Sequence, residues 1–170
     1  MDQKMYLITG LMASGKPTVS ELLAASLEKC VHLRGDVFRK MIVSGREDMS
    51  DPPSEEAVRQ LHLRYRLTAD AAKMYFDSGF SVVIQDNYYG GELNRMLEYL
   101  QGYPVETVVL CPDVETIRER ELHRGKTGYS GFEVEALYDL FMETTPRTGF
   151  WLDNSAQTSQ QTAAAILGLK

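Results

Sequence analysis

A chain of 170 residues suits one domain, and it is long enough to bury a core without disulfides or structural metals. Its 18 Lys+Arg against 24 Asp+Glu give a net charge of -6, which argues against nucleic acid as the main partner but leaves room for a small charged metabolite held by local arginines. Cys30 and Cys111 are the only cysteines and lack metal-ligand spacing, no signal-peptide pattern opens the chain, and no apolar stretch reaches the ~20 residues that cross a bilayer, so a reducing cytoplasm and no membrane partner are expected.

The apolar run Met5-Tyr6-Leu7-Ile8 predicts a buried first strand over 5–9. It leads into G-L-M-A-S-G-K-P-T at residues 10–18 and then into a helical pattern over 18–28. The motif G-x-x-x-x-G-K-[ST] sets a glycine-rich turn between a strand and a helix, so that backbone N–H groups and a lysine converge on a nucleotide's phosphates. Gly10, Gly15 and Lys16 fit it, and with Ala13, Ser14, Pro17 and Thr18 they make the expected nucleotide cradle. Position 17 departs from the motif. A Ser or Thr there would offer its hydroxyl to a magnesium ion, whereas Pro17 has neither hydroxyl nor N–H. Proline biases the preceding Lys16 away from helical dihedrals, yet it is itself welcome in a helix's first turn. Thr18 supplies a replacement hydroxyl one residue later.

A second strand is predicted over 31–34, followed by Gly35-Asp36 and a helix over 36–43. Residues 44–53 carry Gly45, Asp48, Asp51, Pro52 and Pro53 with few apolar anchors, and are expected to be a mobile segment on the acceptor side. A long helix over 54–78 is marked by Leu61, Tyr65, Thr68, Ala72 and Phe76 at helical spacing, a Ser54 cap and a Gly79 stop. The run 81–85 predicts a third strand, ending at Asp86-Asn87; a helix over 91–99, a strand over 107–111 and a helix over 114–123 follow. The stretch R-G-K-T-G-Y-S-G at residues 124–131 combines glycines and cations, as expected of a lid. A helix over 133–143, a strand over 149–152 and a helix over 158–169 complete the chain. Strands alternating with amphipathic helices predict a parallel sheet wrapped on both faces, a three-layer α/β architecture.

In such a sheet ligands bind beyond the carboxyl ends of the strands. The phosphate loop, Arg34-Gly35-Asp36 and Asp86-Asn87 should therefore meet. Asp36 is the expected general base, a carboxylate that orients an acceptor hydroxyl and takes its proton; an N-cap role competes with that reading. Asp86, with Thr18, is the expected magnesium site, directly or through water, and a turn or cap is its alternative. Arg34, Arg39 and Lys16 are placed to neutralise the acceptor or the transferring group, and Asn87 joins the substrate side. Arg120 and Arg124 would meet the charge that develops on the transferred phosphoryl group, with helical ion pairing accounting for Arg118. His32, His62 and His123 have no metal-site spacing and read as structural.

With the phosphate loop, the Gly35-Asp36 pair and the basic loop late in the chain, the whole sequence resembles the small phosphate-loop (Walker A) kinases. It is similar in layout to chloramphenicol phosphotransferase, gluconate kinase and adenylylsulfate kinase, and looks most like the bacterial phosphotransferase-like P-loop ATPases near them. That resemblance implies a P-loop NTPase fold with a five-stranded parallel sheet of order 2-3-1-4-5, ATP as donor, a requirement for Mg2+, and Asp36 serving the acceptor hydroxyl. The leading expectation is an ATP-dependent phosphotransferase acting on a hydroxyl of a small molecule, a metabolite or an antibiotic. A nucleotide or nucleoside kinase, gripping acceptor phosphate with Arg39, Arg46, Arg64 or Arg66, is the alternative within enzymes. A nucleotide-binding module that senses without catalysis, because of Pro17, is the alternative outside them. A homodimer is compatible with the chain.

Overall fold

The computed structural model describes residues 3–124 and 133–169. Five strands form one sheet: β1 Met5–Gly10, β2 Cys30–Arg34, β3 Ser81–Gln85, β4 Val105–Leu110 and β5 Phe150–Leu152. All pairings are parallel and the order is β2-β3-β1-β4-β5, as the resemblance implied. The helices are α1 Lys16–Ala25, α2 Asp36–Lys40, α3 Glu55–Asp77, α4 Gly91–Tyr99, α5 Val114–His123, α6 Val134–Thr144 and α7 Ser159–Leu167. This is the P-loop NTPase fold, with helices on both faces.

Two apolar layers sandwich the sheet, because every residue of β1 is buried and its side chains alternate between them. Met5 and Leu7 pack with Tyr65, Ala69 and Ala72 of α3, Leu93 and Met96 of α4, Ile117 of α5 and Phe141 of α6. Tyr6 and Ile8 pack on the other side with Val19 and Leu23 of α1 and Ala163 and Ile166 of α7.

The sequence-predicted elements all form, with boundaries moved for local reasons. Helix α1 starts at Lys16 rather than 18, since Pro17 fits a first turn that needs no N–H, and it ends early, at Ala25, where the Ser26 hydroxyl donates back to the Leu22 carbonyl at 2.8 Å. Helix α2 stops at Lys40, short of 43, because Val43 is 98% exposed and has no apolar surface to join. Strand β4 spans Val105–Leu110 instead of 107–111, matching β1 residue for residue from Met5 to Gly10. Helix α7 is closed at its start by a reciprocal Thr158–Gln161 capping box. Both cysteines are free. Among the described residues no helix is long and apolar enough to cross a membrane.

Candidate functional site

The turn after β1 is shaped by three residues with positive φ: Gly10 at 148°, Ala13 at 66° and Gly15 at 96°. Gly10 cannot be replaced, since a Cβ there would sit 2.4 Å from the Leu110 carbonyl oxygen. Ala13 bears the left-handed conformation with a side chain, at a cost of about 1 kcal/mol. The turn closes on itself through Ser14 N–H to Leu11 O at 3.1 Å, and Gly15 serves as N-cap of α1 without a side-chain cap. The first N–H groups of α1 thus lack intrahelical partners and point along a helix dipole toward the loop, the arrangement that binds anions.

Lys16 is 4% exposed, and its ammonium donates to the carbonyls of Gly10 at 2.6 Å and Leu11 at 2.7 Å. Burial pushes its pKa down to about 7; Asp86 pulls it upward and Arg124 lowers it further. Charges from the end of the third strand and the end of α5 thus both act on the phosphate-loop lysine.

Across the sheet, the Gly35 N–H donates to the Gln85 carbonyl at 3.1 Å, bringing the ends of β2 and β3 together. Gly35 has ordinary helical dihedrals, so its reason is space: a Cβ would lie 2.2 Å from Asp86 Oδ2. Asp36 is the first residue of α2, with Gly35 as N-cap and no side-chain cap, so the competing N-cap reading of Asp36 fails. Its carboxylate instead accepts from Arg39 Nε at 2.8 Å and pairs with Lys40 Nζ at 3.0 Å. Burial would raise its pKa, but the hydrogen bonds and charges of Arg39 and Lys40 outweigh that and hold it below the ordinary carboxylate range.

Asp86 is 4% exposed. Oδ1 accepts from the Asn87 N–H at 2.8 Å and from Arg64 Nη2 at 3.1 Å. Arg64 Nε lies 3.0 Å from Oδ2, in ion-pair range but without hydrogen-bond alignment, so Oδ2 is a buried acceptor still lacking a donor. Burial raises the Asp86 pKa, against the opposing pull of Arg64 and the Asn87 amide. The same guanidinium reaches toward Asp36, with Nη1 3.8 Å from Oδ1. Arg64 therefore spans the two carboxylates.

Arg120 is directed at the phosphate loop, donating to Ser14 O at 3.2 Å and Asn154 O at 3.0 Å, while Asn154 Nδ2 donates to the same Ser14 oxygen at 3.1 Å. Arg124, at the C-cap of α5, pairs with Glu121 at 3.1 Å. The basic loop expected as a lid lies, beyond Arg124, outside the described residues. Arg34 is exposed, and alternation along β2 directs it away from α3: Leu33 packs on the α3 side, whereas His32 meets Glu21 of α1 at 2.7 Å. Beyond Asn87, an apolar cavity of about 210 Å³ opens between Tyr89-Gly90 and the α6 residues Leu137, Leu140, Phe141 and Thr144.

A family model described as an AAA domain matches residues 5–138, from the first strand into the first half of α6. The chain belongs to that family. No curated protein sequence matches it. Among solved structures, the tunicamycin resistance protein of Deinococcus radiodurans is similar with a TM-score of 0.73 and 18% identity, over 99% of this chain and 98% of that one. A sugar kinase from Janibacter sp. gives 0.68 at 18% identity, over 98% and 93% of the two chains. The Mycobacterium tuberculosis APS kinase in complex with AMPPNP and APS gives 0.70 at 16% identity, over 97% and 95%. At such identities the likeness speaks for a shared phosphate-loop kinase fold.

In this AAA domain, the residues brought together are Lys16, Asp36, Arg39, Asp86 and Asn87, with Arg120 and Arg124 on the far side of the loop. Two members of the site escaped the sequence reading. Arg64 entered it as a grip for acceptor phosphate and not as the partner of Asp86; its signal is a cation beside Tyr65 on the buried stripe of α3, where burial demands a carboxylate. Asn154, 2% exposed, carried no signal, because only the fold brings it 140 residues back to Ser14.

Proposed function

We propose that this chain transfers the γ-phosphoryl group of ATP to a hydroxyl of a small molecule. The observation that carries the reading is one charge network at three adjacent strand ends, buried at Lys16 and Asp86 and open to solvent at Asp36. Lys16 lies beside the loop amides, Asp86 interacts with Lys16 and Arg64, and Arg64 extends to Asp36. Phosphoryl transfer needs a phosphate cradle and an oriented acceptor more than covalent chemistry.

The amides of Ala13, Gly15 and Lys16 and the Lys16 ammonium would hold the β- and γ-phosphates, whose charge returns the lysine to its protonated form. Asp36, kept ionised by Arg39 and Lys40, accepts a hydrogen bond from the acceptor hydroxyl and points its oxygen at phosphorus. As the new O–P bond forms, the bond between γ-phosphorus and the bridging oxygen breaks; ADP leaves with that electron pair, and the hydroxyl proton passes to Asp36. Among the described residues no group of three His, Cys, Asp or Glu makes a protein cage for a metal. Magnesium needs only one or two protein oxygens when it also holds phosphates, and the buried donor-free Oδ2 of Asp86 fits that need, with Thr18 as hydroxyl in place of Pro17. Bound there, the ion would offset the charge that develops on the transferred group.

The test is ADP release with Mg2+ across a panel of hydroxylated acceptors, repeated with Asp36→Asn. Turnover that falls by about 10²–10⁴ in the variant, with nucleotide affinity retained, is expected for an oriented acceptor. Pro17 favours the second reading, a nucleotide-binding module without catalysis. Nucleotide binding without turnover on every acceptor would establish that reading instead.

A further inference from the structure

We propose that Asp48 acts as a built-in anion on the acceptor side, occupying Arg39 and Arg46 so that the site takes an uncharged hydroxylated acceptor and turns away phosphorylated or sulfated ones. The inference rests on the phosphotransferase reading for the identity of the site, but its charge argument stands on geometry alone. A phosphorylated acceptor needs cations with donors to spare beside Asp36. Each of the neighbouring cations already faces a carboxylate of this chain, which offsets its charge. Arg39 donates through Nε to Asp36 and through Nη1 to Asp48, Lys40 pairs with Asp36 at 3.0 Å, and Arg46 approaches Asp48 at 3.8 Å. Arg64 is committed to Asp86 at 3.0 Å. Four cations, Arg39, Lys40, Arg46 and Arg64, thus face the three carboxylates of Asp36, Asp48 and Asp86, with Glu47 as a fourth beside them. A balanced cluster sets up no field that gathers anions.

Asp48 is delivered to its place by a held backbone. The Gln60 side chain of α3 donates to the Gly45 carbonyl at 2.8 Å and accepts from the Glu47 N–H at 2.9 Å, and the Ser54 hydroxyl that caps α3 donates to Glu47. Residues 45–47 are therefore tied to α3 just ahead of Asp48. The cavity beside Tyr89 points to the same acceptor chemistry by a separate route. It opens three residues after Asp86, a chain length of at most about 10 Å, and Leu137, Leu140 and Phe141 line it. Such a lining offers apolar surface, not charge, to the body of an acceptor.

Inorganic phosphate is the probe for the first test, titrated by calorimetry with the nucleotide analogue AMPPNP and magnesium present throughout. Asp48→Ala and the isosteric Asp48→Asn should each bind phosphate about fivefold more tightly than the wild type, the scale set by one exposed ion pair. Adding Arg39→Met to Asp48→Asn should abolish the gain. Equal phosphate affinity in wild type and both Asp48 variants, or a gain that survives Arg39→Met, overturns the proposal. The second test compares ADP release with matched acceptors, a nucleoside against its monophosphate and glycerol against glycerol phosphate. Higher kcat/KM for the uncharged member, with the ratio narrowed by Asp48→Asn, supports the proposal; preference for the phosphorylated member overturns it while leaving the phosphotransferase reading intact. If no acceptor releases ADP, that reading fails and the phosphate titration alone decides the role of Asp48.

Discussion

Replacing Gly35 by alanine should damage both stability and site, although its backbone, at φ -56° and ψ -32°, accepts any residue. The new Cβ would lie 2.2 Å from Asp86 Oδ2, 3.0 Å from its Cγ and 3.2 Å from Thr68 Oγ1. Asp86 cannot swing aside freely, being 4% exposed and held by Arg64 and the Asn87 amide. Either the end of β2 backs away from β3, straining the Gly35 N–H to Gln85 O bond, or the Asp86–Arg64 pair opens. Overpacking of this kind costs about 1–3 kcal/mol. Losing a partner from a buried ion pair costs about 3–5 kcal/mol, and here the pair is loosened and not deleted. A total near 3 kcal/mol follows, equal to a fall in Tm of about 6–12 °C for a chain of this size. Gly91→Ala is the control, because nothing lies within 4 Å of its Cβ, and it should unfold within about 0.5 kcal/mol of the wild type. The assay is urea unfolding of all three proteins followed by circular dichroism. Should Gly35→Ala match Gly91→Ala, the close approach of Gly35 to Asp86 is not what the fold depends on.

Lys16 is protonated in the unfolded chain up to about pH 10.4, but in the fold its pKa is pushed down to about 7. Between those values the unfolded state binds the extra proton, so stability should rise from pH 7 toward pH 10; this rise should be absent in Lys16→Met, and equal slopes for the two proteins in urea unfolding at pH 7, 8.5 and 10 would refute it. Pro17→Ser should strengthen magnesium-dependent ATP binding severalfold, since at this exposed position in the first turn of α1 serine adds the hydroxyl and the N–H that proline lacks. Calorimetry with and without magnesium measures the difference, and an unchanged affinity would show that the loop is competent as written. Asn154→Ala should cost about 1–2 kcal/mol, the loss of a buried hydrogen bond to the Ser14 carbonyl; thermal unfolding within 0.5 °C of the wild type would show that Arg120 holds that oxygen unaided.

The fold was readable because its signals are local. Val82-Val83-Ile84 and Val108-Val109-Leu110 are strands covered on both faces, and Leu61, Tyr65, Thr68 and Ala72 mark one side of α3; each fact needs only neighbours a few residues away. The phosphate loop was readable for the same reason, as a motif confined to residues 10–18. The partnerships of the carboxylates were not. Asp86 meets Arg64 22 residues back, and Arg39, which pairs with Asp36 one turn away inside α2, meets Asp48 only because α2 is short enough to bring the next loop around. R-G-D-V-F-R-K leaves Asp36 as general base or as helix cap, since both roles suit an aspartate at a strand end. In the fold Gly35 occupies the N-cap, which leaves Asp36 inside the first turn.

The Ser14 carbonyl is gripped from outside the stretch that the AAA-domain match covers. Asn154 lies 16 positions past residue 138, yet it and Arg120 together restrain the peptide on which the loop turns. A fragment trimmed to the matched limits would keep the whole glycine-rich signature and still lose the strut that steadies it. Grafting or expressing the recognisable motif by itself would therefore carry over the letters of the nucleotide cradle without its stiffness.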